Sequence, residues 1–577
     1  MRKTSQQLYK YWLENNAIDE NAKKELLSIA DMAQEIEERF YRDLEFGTAG
    51  MRGIIGIGTN RMNIYTVRRA TQGLSAFINS QKTGDKGIVI GYDTRYLSDV
   101  FARETARVLV ANGIKVYLFN TFHAAPEVSF AIRYYKAAAG VMITASHNPK
   151  EYNGYKAYGP DGAQFAPEHS DAIVAEVNSC DIFDDIKLIG DSELDSSDLL
   201  EMIGDEVDAA FIDAVCAQSI NSDVIKQAGD DFKLVYTPFH GTGLRPVTAV
   251  LERMGVKNVI VEPNQAIPDP AFSTVKSPNP EDKEGFAMAI ELAKKHDASL
   301  IIGTDPDADR VGVVVRDSEG EYRVLTGNQT GALLCEYILS AKAKKGLLSE
   351  KSTVVKTIVT SDMSCAIAKN YGAQVVEVLT GFKYIAEKIA KFENTNSNVY
   401  ELGFEESYGY LPGTYARDKD SVGAVMLIAE MAAAYRAKNM TLYDALMEMF
   451  ERYGYYMEKT VSIVMPGKDG MQKMAETMKK IREDMPDEIG GVAIKTKRDF
   501  LSGVMYNEDK TTSSIGDFPK SDVLKFNLAD DKTFVAIRPS GTEPKIKLYI
   551  CTAADSYAEA ESQLNYMTGA LRGYLGI

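Results

Sequence analysis

The sequence predicts an α/β protein, with three related α/β domains followed by a smaller C-terminal α+β domain. Three observations carry that expectation. The chain has 577 residues, and at about 100–200 residues per domain that means three to five domains. A strand–helix–glycine–strand grammar recurs three times at separations above a hundred residues. After about residue 460 the grammar changes.

The first unit opens at Gly87-Ile88-Val89-Ile90, a buried strand. It continues through a helical apolar face at Ala102, Ala106, Leu109 and Val110, stops at Gly113, and resumes as a strand over 114–119. The second runs from Leu234-Val235-Tyr236 through Val247, Val250, Leu251 and Met254 to Gly255 and Val259-Ile260-Val261. The third runs from Val354-Val355 through Met363, Ala366 and Ile367 to Gly372 and Val375-Val376. Crossover helices on parallel strands repeat this pattern, although isolated examples arise in any α/β chain. Residues 6–42, rich in Glu, Lys, Ala and Leu, predict helices ahead of the first sheet. In the last stretch, strand-like VAIKT, FVAIRPS and KIKLYI surround helices over 471–482 and 557–571, an α+β module rather than a fourth copy. Polar, acidic residues near 190–206 and an aromatic-rich segment at 452–459, a candidate hinge, suggest boundaries. The expected domains are 1–205, 206–322, 323–452 and 453–577.

Composition excludes several classes. Hydrophobic residues at 45% and charged residues at 25% are ordinary globular values, which rules out fibrous and low-complexity chains. The 65 Lys and Arg against 82 Asp and Glu leave a net charge of −17, which argues against a nucleic-acid or acidic-membrane binder. Any anionic ligand must be held by local basic groups. The five cysteines (Cys180, Cys216, Cys335, Cys365, Cys551) are scattered and form no C-x-x-C pair, so they read as reduced and structural. The opening MRKTSQQLYKYWLENN lacks a signal-peptide apolar core, and no run of about 18 apolar residues occurs, so a cytoplasmic location is expected.

Four loops carry chemistry. Thr144-Ala145-Ser146-His147-Asn148-Pro149 follows the apolar strand Val141-Met142-Ile143, which places Ser146 at a strand end, where α/β sites usually sit. A serine hydroxyl needs a base, a metal or a polarising neighbour to act, and His147, Asn148 and Lys156 offer parts of that environment. On this segment alone, a turn explains the residues equally well. A Ser-His-Asp hydrolase is disfavoured because no G-x-S-x-G elbow surrounds Ser146. Thr304-Asp305-Pro306-Asp307-Ala308-Asp309-Arg310 lies between two apolar strands. Three carboxylates at alternate positions there would repel unless a cation joined them, and all-oxygen ligands favour Mg²⁺ over zinc. An EF-hand is rejected because loop positions six and twelve are Arg310 and Arg316 instead of Gly and Glu. A solvated acidic turn is the remaining alternative.

Gly403-Phe404-Glu405-Glu406-Ser407-Tyr408-Gly409 offers acceptors and a hydroxyl suited to sugar hydroxyls. Gly381-Phe382-Lys383 and Arg417-Asp418-Lys419-Asp420 bracket it and add cations, although a charged surface explains each taken alone. Arg538-Pro539-Ser540-Gly541-Thr542-Glu543-Pro544 follows a strand and supplies an arginine fork, two hydroxyls and turn N–H groups for a tetrahedral dianion. It lacks the Walker A pattern, so no nucleotide is implied there.

These loops, in this order, together with Phe46-Gly47-Thr48-Ala49-Gly50-Met51-Arg52 and Gly91-Tyr92-Asp93-Thr94-Arg95, resemble the α-D-phosphohexomutase family of phosphoglucomutases and phosphomannomutases. The resemblance spans nearly the whole chain. It implies four domains around a central cleft, the first three with mixed sheets, and rotation of the last domain about a hinge near residue 455. It further implies a phosphoserine at Ser146, Mg²⁺ held by Asp305, Asp307, Asp309 and a phosphoserine oxygen, and Arg52, His147, Lys156 and Arg310 near the reacting phosphate, with Lys156 as general acid/base. Gly381, Phe382, Lys383, Glu405, Ser407 and Lys419 are the implied sugar-binding residues, and Arg538, Ser540, Gly541 and Thr542 the site for the non-transferring phosphate. The implied reaction interconverts glucose 1-phosphate and glucose 6-phosphate through glucose 1,6-bisphosphate, which also serves as activator. A phosphopentomutase and a glucose-1,6-bisphosphate synthase are the alternatives. Tyr408-Gly409 stands where mannose-active relatives often carry Gly-His, which favours glucose. Small sugar phosphates, no nucleic acid, no membrane, and a monomer or homodimer complete the expectation.

Overall fold

A computed structural model of the chain describes residues 3–47, 50–229, 231–465, 470–540 and 545–575. They divide into two units, 1–326 with 407–441, and 327–406 with 442–577.

The first unit begins with three helices, Ser5–Glu14, Glu20–Ser28 and Ala33–Phe40, in the region where helices were expected. Their apolar faces close around Trp12, whose ring meets Phe40, Tyr65 and Phe183 edge-on at centroid distances of 5.8, 5.6 and 5.2 Å. The first sheet has the spatial order Met51–Ile54, Tyr152–Tyr158, Ala139–Ile143, Ile88–Tyr92, Val116–Phe119 and Leu200–Ile203. Ile88–Tyr92 pairs in parallel with both Val116–Phe119 and Ala139–Ile143, and Tyr152–Tyr158 returns antiparallel to the latter. The sheet is therefore mixed. Its central strands are buried on both faces, which is why they read as unbroken apolar runs rather than alternating ones.

The acidic stretch near 190–206 holds structure that its polarity concealed. Leu200–Ile203 pairs with Val116–Phe119 as the edge strand of the first sheet. The strand is only four residues long, Leu-Glu-Met-Ile, with Glu201 and Met202 exposed, so it is too short to stand out from the acidic residues around it.

The second sheet repeats the plan. Lys233–Thr237 lies between Asn258–Val261 and Leu300–Thr304, both parallel to it, and Val311–Arg316 returns antiparallel to Leu300–Thr304. In the second unit, Ser352–Thr357 lies between Gln374–Val378 and Val399–Glu405, again parallel. The helix stops expected at Gly113, Gly255 and Gly372 all have left-handed backbones, with φ of 74°, 85° and 69°, where a side chain would be strained. In all three sheets the chain leaves the third parallel strand into a candidate loop: Ile143 into the Ser146 loop, Thr304 into the aspartate loop, Glu405 into the Glu406–Tyr408 turn. Carboxyl ends of parallel strands are where α/β proteins place their sites.

The last part of the second unit is β-rich. Tyr455–Val464, Lys545–Ala554, Phe534–Pro539, Leu524–Leu528, Val492–Asp499, Val504–Asn507 and Thr512–Ser514 lie side by side, antiparallel throughout. Helices Gly470–Glu483 and Tyr557–Leu575 pack on this sheet, and residues of both join its apolar core. Of the aromatic-rich segment 452–459, Arg452 and Tyr453 end the helix Leu442–Tyr453, Gly454 follows at φ 102°, and the rest opens the strand Tyr455–Val464, which pairs with Lys545–Ala554.

A buried charge network joins this sheet to the parallel one. Glu377 accepts from Lys356 and Lys525 at 3.1 Å each and from Arg498 at 2.9 Å, while Lys356 also reaches Asp362 at 2.8 Å. Burial opposes ionisation of Glu377, but the three cations outweigh it and hold its carboxyl well below the usual range. Lys356 and Lys525 are 0% and 1% exposed, so removal of their shared carboxylate strands buried charge. Glu377→Gln is expected to cost about 3 kcal/mol, raising amide exchange in Gln374–Val378 and Leu524–Leu528 roughly a hundredfold. Because the folded carboxyl titrates below its unfolded value, this contribution is present at neutral pH and lost as pH falls through the folded pKa. The gap between wild type and variant should therefore close in acid, as hydrogen-exchange mass spectrometry across pH would read.

Candidate functional site

Ser146 sits three residues beyond the strand Ala139–Ile143 and is 3% exposed. Its backbone is left-handed, φ 53°, and its N–H donates to Thr144 Oγ1 at 2.8 Å. That turn aims the hydroxyl at the aspartate loop, where Oγ donates to Asp305 Oδ2 at 2.9 Å. His147 Nδ1 is 3.2 Å from the same oxygen. Burial, followed by the nearby charges of Arg310 and Arg52, keeps the His147 ring well below its usual pKa and so neutral. A serine and an aspartate 159 positions apart in the chain are thus in direct contact.

The three aspartates present oxygens within 4.8 Å of one another, and all three are at most 1% exposed. At such separations each like-charge pair costs about 3 kcal/mol even at an effective dielectric constant near 20. Two lysines offset part of this. Lys156 Nζ donates to Asp307 Oδ2 at 2.7 Å and Asp309 Oδ2 at 3.0 Å, and Lys419 Nζ lies 3.3 Å from Asp309 Oδ2 and 3.2 Å from Asp418 Oδ1. Burial disfavours the Asp309 carboxylate, but Lys156, Lys419 and Arg310 outweigh it and hold its pKa low. Asp305 goes the other way: burial, then repulsion from Asp307 and Asp309, pushes it well above the usual range. Burial likewise opposes the Lys156 ammonium, yet Asp307 and Asp309 raise its pKa.

Asp307 Oδ1 and Asp309 Oδ1 are buried with no hydrogen-bond partner. Unsatisfied carboxylate oxygens in an all-oxygen cluster fit a hard divalent cation, which would supply the missing charge. A second acidic group, His123, Glu127 and Asp208, also falls within metal-ligand range. There Arg245 already reaches Asp208 Oδ2 at 2.8 Å and His123 Nε2, and Glu127 accepts from the Ala124 N–H at 2.8 Å, so that cluster has internal partners.

Other expected residues of the first unit have definite places. Arg52 reaches Asn148 Oδ1 at 2.9 Å because Met51–Ile54 pairs antiparallel with Tyr152–Tyr158, setting Arg52 opposite Gly154. Lys156 lies on that same returning strand, opposite Met142. Arg310 holds Glu281 at 3.0 Å. Ser407 follows Glu406 and precedes Tyr408, whose backbone is left-handed at φ 67°.

In the second unit, Glu405 Oε1 accepts from the Gly381 N–H at 2.8 Å, at the start of the helix Phe382–Thr395. Phe382 is buried, and the Lys383 ammonium lies 5.1 Å from the Tyr384 ring centroid. Glu406, next in sequence, is pushed up to about 7 by burial and by the charge of Glu405, and its Oε2 accepts from Thr357 at 3.2 Å and Thr360 at 3.3 Å. Arg538 pairs with Lys547 near the end of Phe534–Pro539, and the Ser540 N–H donates to the Lys545 carbonyl at 2.8 Å. Gly541 and Thr542, expected to bind phosphate, lie outside the described residues, as do Thr48 and Ala49.

Two supporting features carried no assigned role in the sequence. Arg95, 3% exposed, donates to the carbonyls of Pro149 and Tyr152 at 3.0 and 3.1 Å and to those of Ser146 and Asn148, while Asp93 lies 3.3 Å from its Nε. One guanidinium thus fixes four carbonyls of the serine loop. The aspartate loop is seated by Thr242, whose N–H and Oγ1 donate to the Pro306 carbonyl at 2.8 and 3.0 Å. The neighbouring Gly241 permits this approach, since a Cβ there would lie 2.4 Å from Pro306 Cα. The signal for Arg95 was present as Asp93-Thr94-Arg95 at a strand end; nothing local marked Thr242.

With this geometry in hand, comparison with known proteins is direct. Residues 43–181, 209–320 and 326–453 match sequence models of phosphoglucomutase/phosphomannomutase α/β/α domains I, II and III respectively. A phosphoglucomutase of Staphylococcus haemolyticus is 37% identical over 539 residues, 92% of this chain and 95% of the relative. One from Staphylococcus aureus (strain USA300) is 36% identical, covering 93% and 95%. Among solved structures, a phosphoglucomutase from Paramecium (pp63/parafusin, open form) superposes with TM-score 0.66 at 17% identity, covering 92% of this chain and 94% of that one. A phosphoglucomutase/phosphomannomutase family protein from Burkholderia thailandensis gives TM-score 0.63 at 17% identity, covering 92% and 97%, and these two likenesses speak to the fold alone. The family models and the curated relatives, each matched over most of its length, show that the chain belongs to the phosphoglucomutase/phosphomannomutase family.

Proposed function

We propose that the protein is a phosphoglucomutase that interconverts glucose 1-phosphate and glucose 6-phosphate, with Ser146 carrying the phosphoryl group and glucose 1,6-bisphosphate as intermediate and activator. The observation that carries this reading is the 2.9 Å contact between Ser146 Oγ and Asp305 of the buried acidic trio. The phosphoglucomutase relatives at 36–37% identity support the choice of glucose.

Phosphoryl transfer asks for positioning and for neutralisation of oxygen charge rather than for covalent help from the protein. Phosphorylated Ser146 donates to the free hydroxyl of the sugar monophosphate: the Oγ–P bond breaks, the sugar O–P bond forms, and the proton lost by the sugar hydroxyl is balanced by the one Ser146 Oγ takes up. The second half reverses this with the other phosphate of the bisphosphate. Arg52 and Arg310 are the cations proposed to face the reacting phosphate. His147, held neutral 3.2 Å from Oγ, is placed to take or return the serine proton. Lys156 enters as an ammonium bound to two carboxylates, so it is assigned first the donor's role in acid/base exchange. Asp305, Asp307 and Asp309 would hold Mg²⁺, which when bound supplies Lewis-acid stabilisation of phosphoryl oxygen charge. Glu405, Ser407, Gly381, Phe382, Lys383 and Lys419 are assigned to the sugar, and Arg538, Ser540, Gly541 and Thr542 to the phosphate that is not being transferred.

Ser146→Ala should lower turnover by about 10⁴-fold or more and remove one phosphate's mass from the purified protein; an active variant would reject the reading. A coupled assay with glucose 1-phosphate, mannose 1-phosphate and ribose 1-phosphate, each primed with its bisphosphate, should favour glucose. Chelation should abolish activity and Mg²⁺ restore it, with Asp307→Asn raising the Mg²⁺ concentration needed by about tenfold or more. Arg95 acts as a positioning residue. Arg95→Lys, which cannot span four carbonyls, should lower kcat roughly 10- to 100-fold with little change in KM. An unchanged kcat would reduce Arg95 to a purely structural role.

A further inference from the structure

Between the strand Asn258–Val261 and the short helical turn Lys283–Phe286, residues 262–282 form no helix or strand. Loops longer than about 15 residues without regular structure are uncommon inside compact domains and usually carry function. The second half of this one, residues 272–281, touches four of the groups that build the serine and aspartate loops.

Both ends of that half are fixed. Phe272, 1% exposed and left-handed at φ 46°, lays its ring 4.9 Å from the Arg95 guanidinium. Thr274 Oγ1 lies 2.7 Å from Nε2 of His240, which belongs to the same turn as Thr242, the residue that seats Pro306. At the far end the Pro280 carbonyl approaches the strand Val311–Arg316 so closely that a Cβ on Gly312 would lie 2.6 Å from it.

Between these anchors the segment reaches two groups assigned to the reaction. Arg95 takes the carbonyls of Ser146, Asn148 and Pro149 but passes over that of His147. Ser277 Oγ donates to the His147 carbonyl at 3.1 Å and completes the set. Four positions later, Glu281 Oε1 accepts from Arg310 at 3.0 Å. Neither contact is needed for folding. The Glu281 side chain is 41% exposed, and an ion pair open to water adds little to stability. A single hydroxyl-to-carbonyl bond is likewise a modest term.

We propose that Ser277 and Glu281 are positioning residues for phosphoryl transfer: Ser277 fixes the backbone of His147 so that its ring stays against Ser146 Oγ, and Glu281 orients the Arg310 guanidinium toward the reacting phosphate. This inference rests on the mutase reading above. Because one pinned segment carries both residues, the proton carrier and the cation keep a set separation. A misplacement of about 1 Å at such groups costs roughly a hundredfold in rate.

The test is steady-state kinetics on the full chain with Mg²⁺, glucose 1-phosphate and saturating glucose 1,6-bisphosphate, alongside thermal unfolding. Ser277→Ala and Glu281→Ala should each lower kcat roughly 10- to 100-fold, with KM within about twofold of wild type. Their unfolding midpoints should fall by no more than about 3 °C. Ser277→Thr keeps the hydroxyl and Glu281→Gln keeps an acceptor oxygen, so each should recover most of the loss. Unchanged kcat in either alanine variant, a raised KM at unchanged kcat, or a loss that the conservative variants leave in place would each overturn the proposal. An inactive wild type would remove the mutase reading and this inference together, whereas an active wild type with unimpaired alanine variants removes the inference alone.

Discussion

Mutual repulsion among three buried aspartates is the constraint around which the first unit is arranged. Asp305, Asp307 and Asp309 share a volume less than 5 Å across with almost no water to screen them. The protein answers with cations drawn from separate elements: Lys156 from the strand that returns after the serine loop, Lys419 from the segment that follows the Glu406–Tyr408 turn. These two charges are not enough. Two carboxylate oxygens keep no hydrogen-bond partner, and the Asp305 carboxyl is forced toward its neutral form. A cluster left this far from electrical balance is better suited to taking up a cation than to holding the fold together.

Repetition of one topology supplies the scaffold. Each of the three parallel arrangements hands the chain from its third strand into a candidate loop, and each of those loops holds one non-glycine residue in the left-handed region: Ser146, Ala308 and Tyr408. Such backbones cost energy and persist only where surrounding bonds over-determine them. Around Ser146 those bonds come from Arg95, Thr144 and Asp305; around Ala308, from the Asp305 carbonyl and from Ser421, which bonds back to the Ala308 carbonyl. Bonds of this kind hold the loop side chains in place, and placement is what the proposed phosphoryl transfer depends on.

The second unit solves a different problem. Its antiparallel sheet is tied to the parallel one through Glu377, which three cations share. Fully paired ionic junctions of this kind fix orientation between packed layers, while the apolar core beneath the antiparallel sheet supplies the burial. The strand Tyr455–Val464 forms one edge of that sheet, paired along its whole length with Lys545–Ala554.

Much of this was legible in the residues. Apolar runs marked the parallel strands because both faces of those sheets are buried, and Gly113, Gly255 and Gly372 marked helix ends because only glycine enters the left-handed region without strain. Carboxylates at alternate positions announced an acidic cluster in want of cations, because an apolar setting does not tolerate like charges alone. The sequence did not disclose Leu200–Ile203, an edge strand of only four residues set among acidic ones, or the grip of Arg95 on four carbonyls. Nor did it reveal that Lys156 and Lys419 neutralise the aspartates. Local pattern reports which chemistry a segment is equipped for, whereas partners more than a hundred positions away are chosen by sheet pairing and crossover handedness. Residue type alone thus determined the candidate groups. The contact of Ser146 with Asp305, and the burial and crowding of carboxylates that push the Asp305 carboxyl up, were decided by the tertiary fold, because electrostatic energy depends on distance in space and not along the chain.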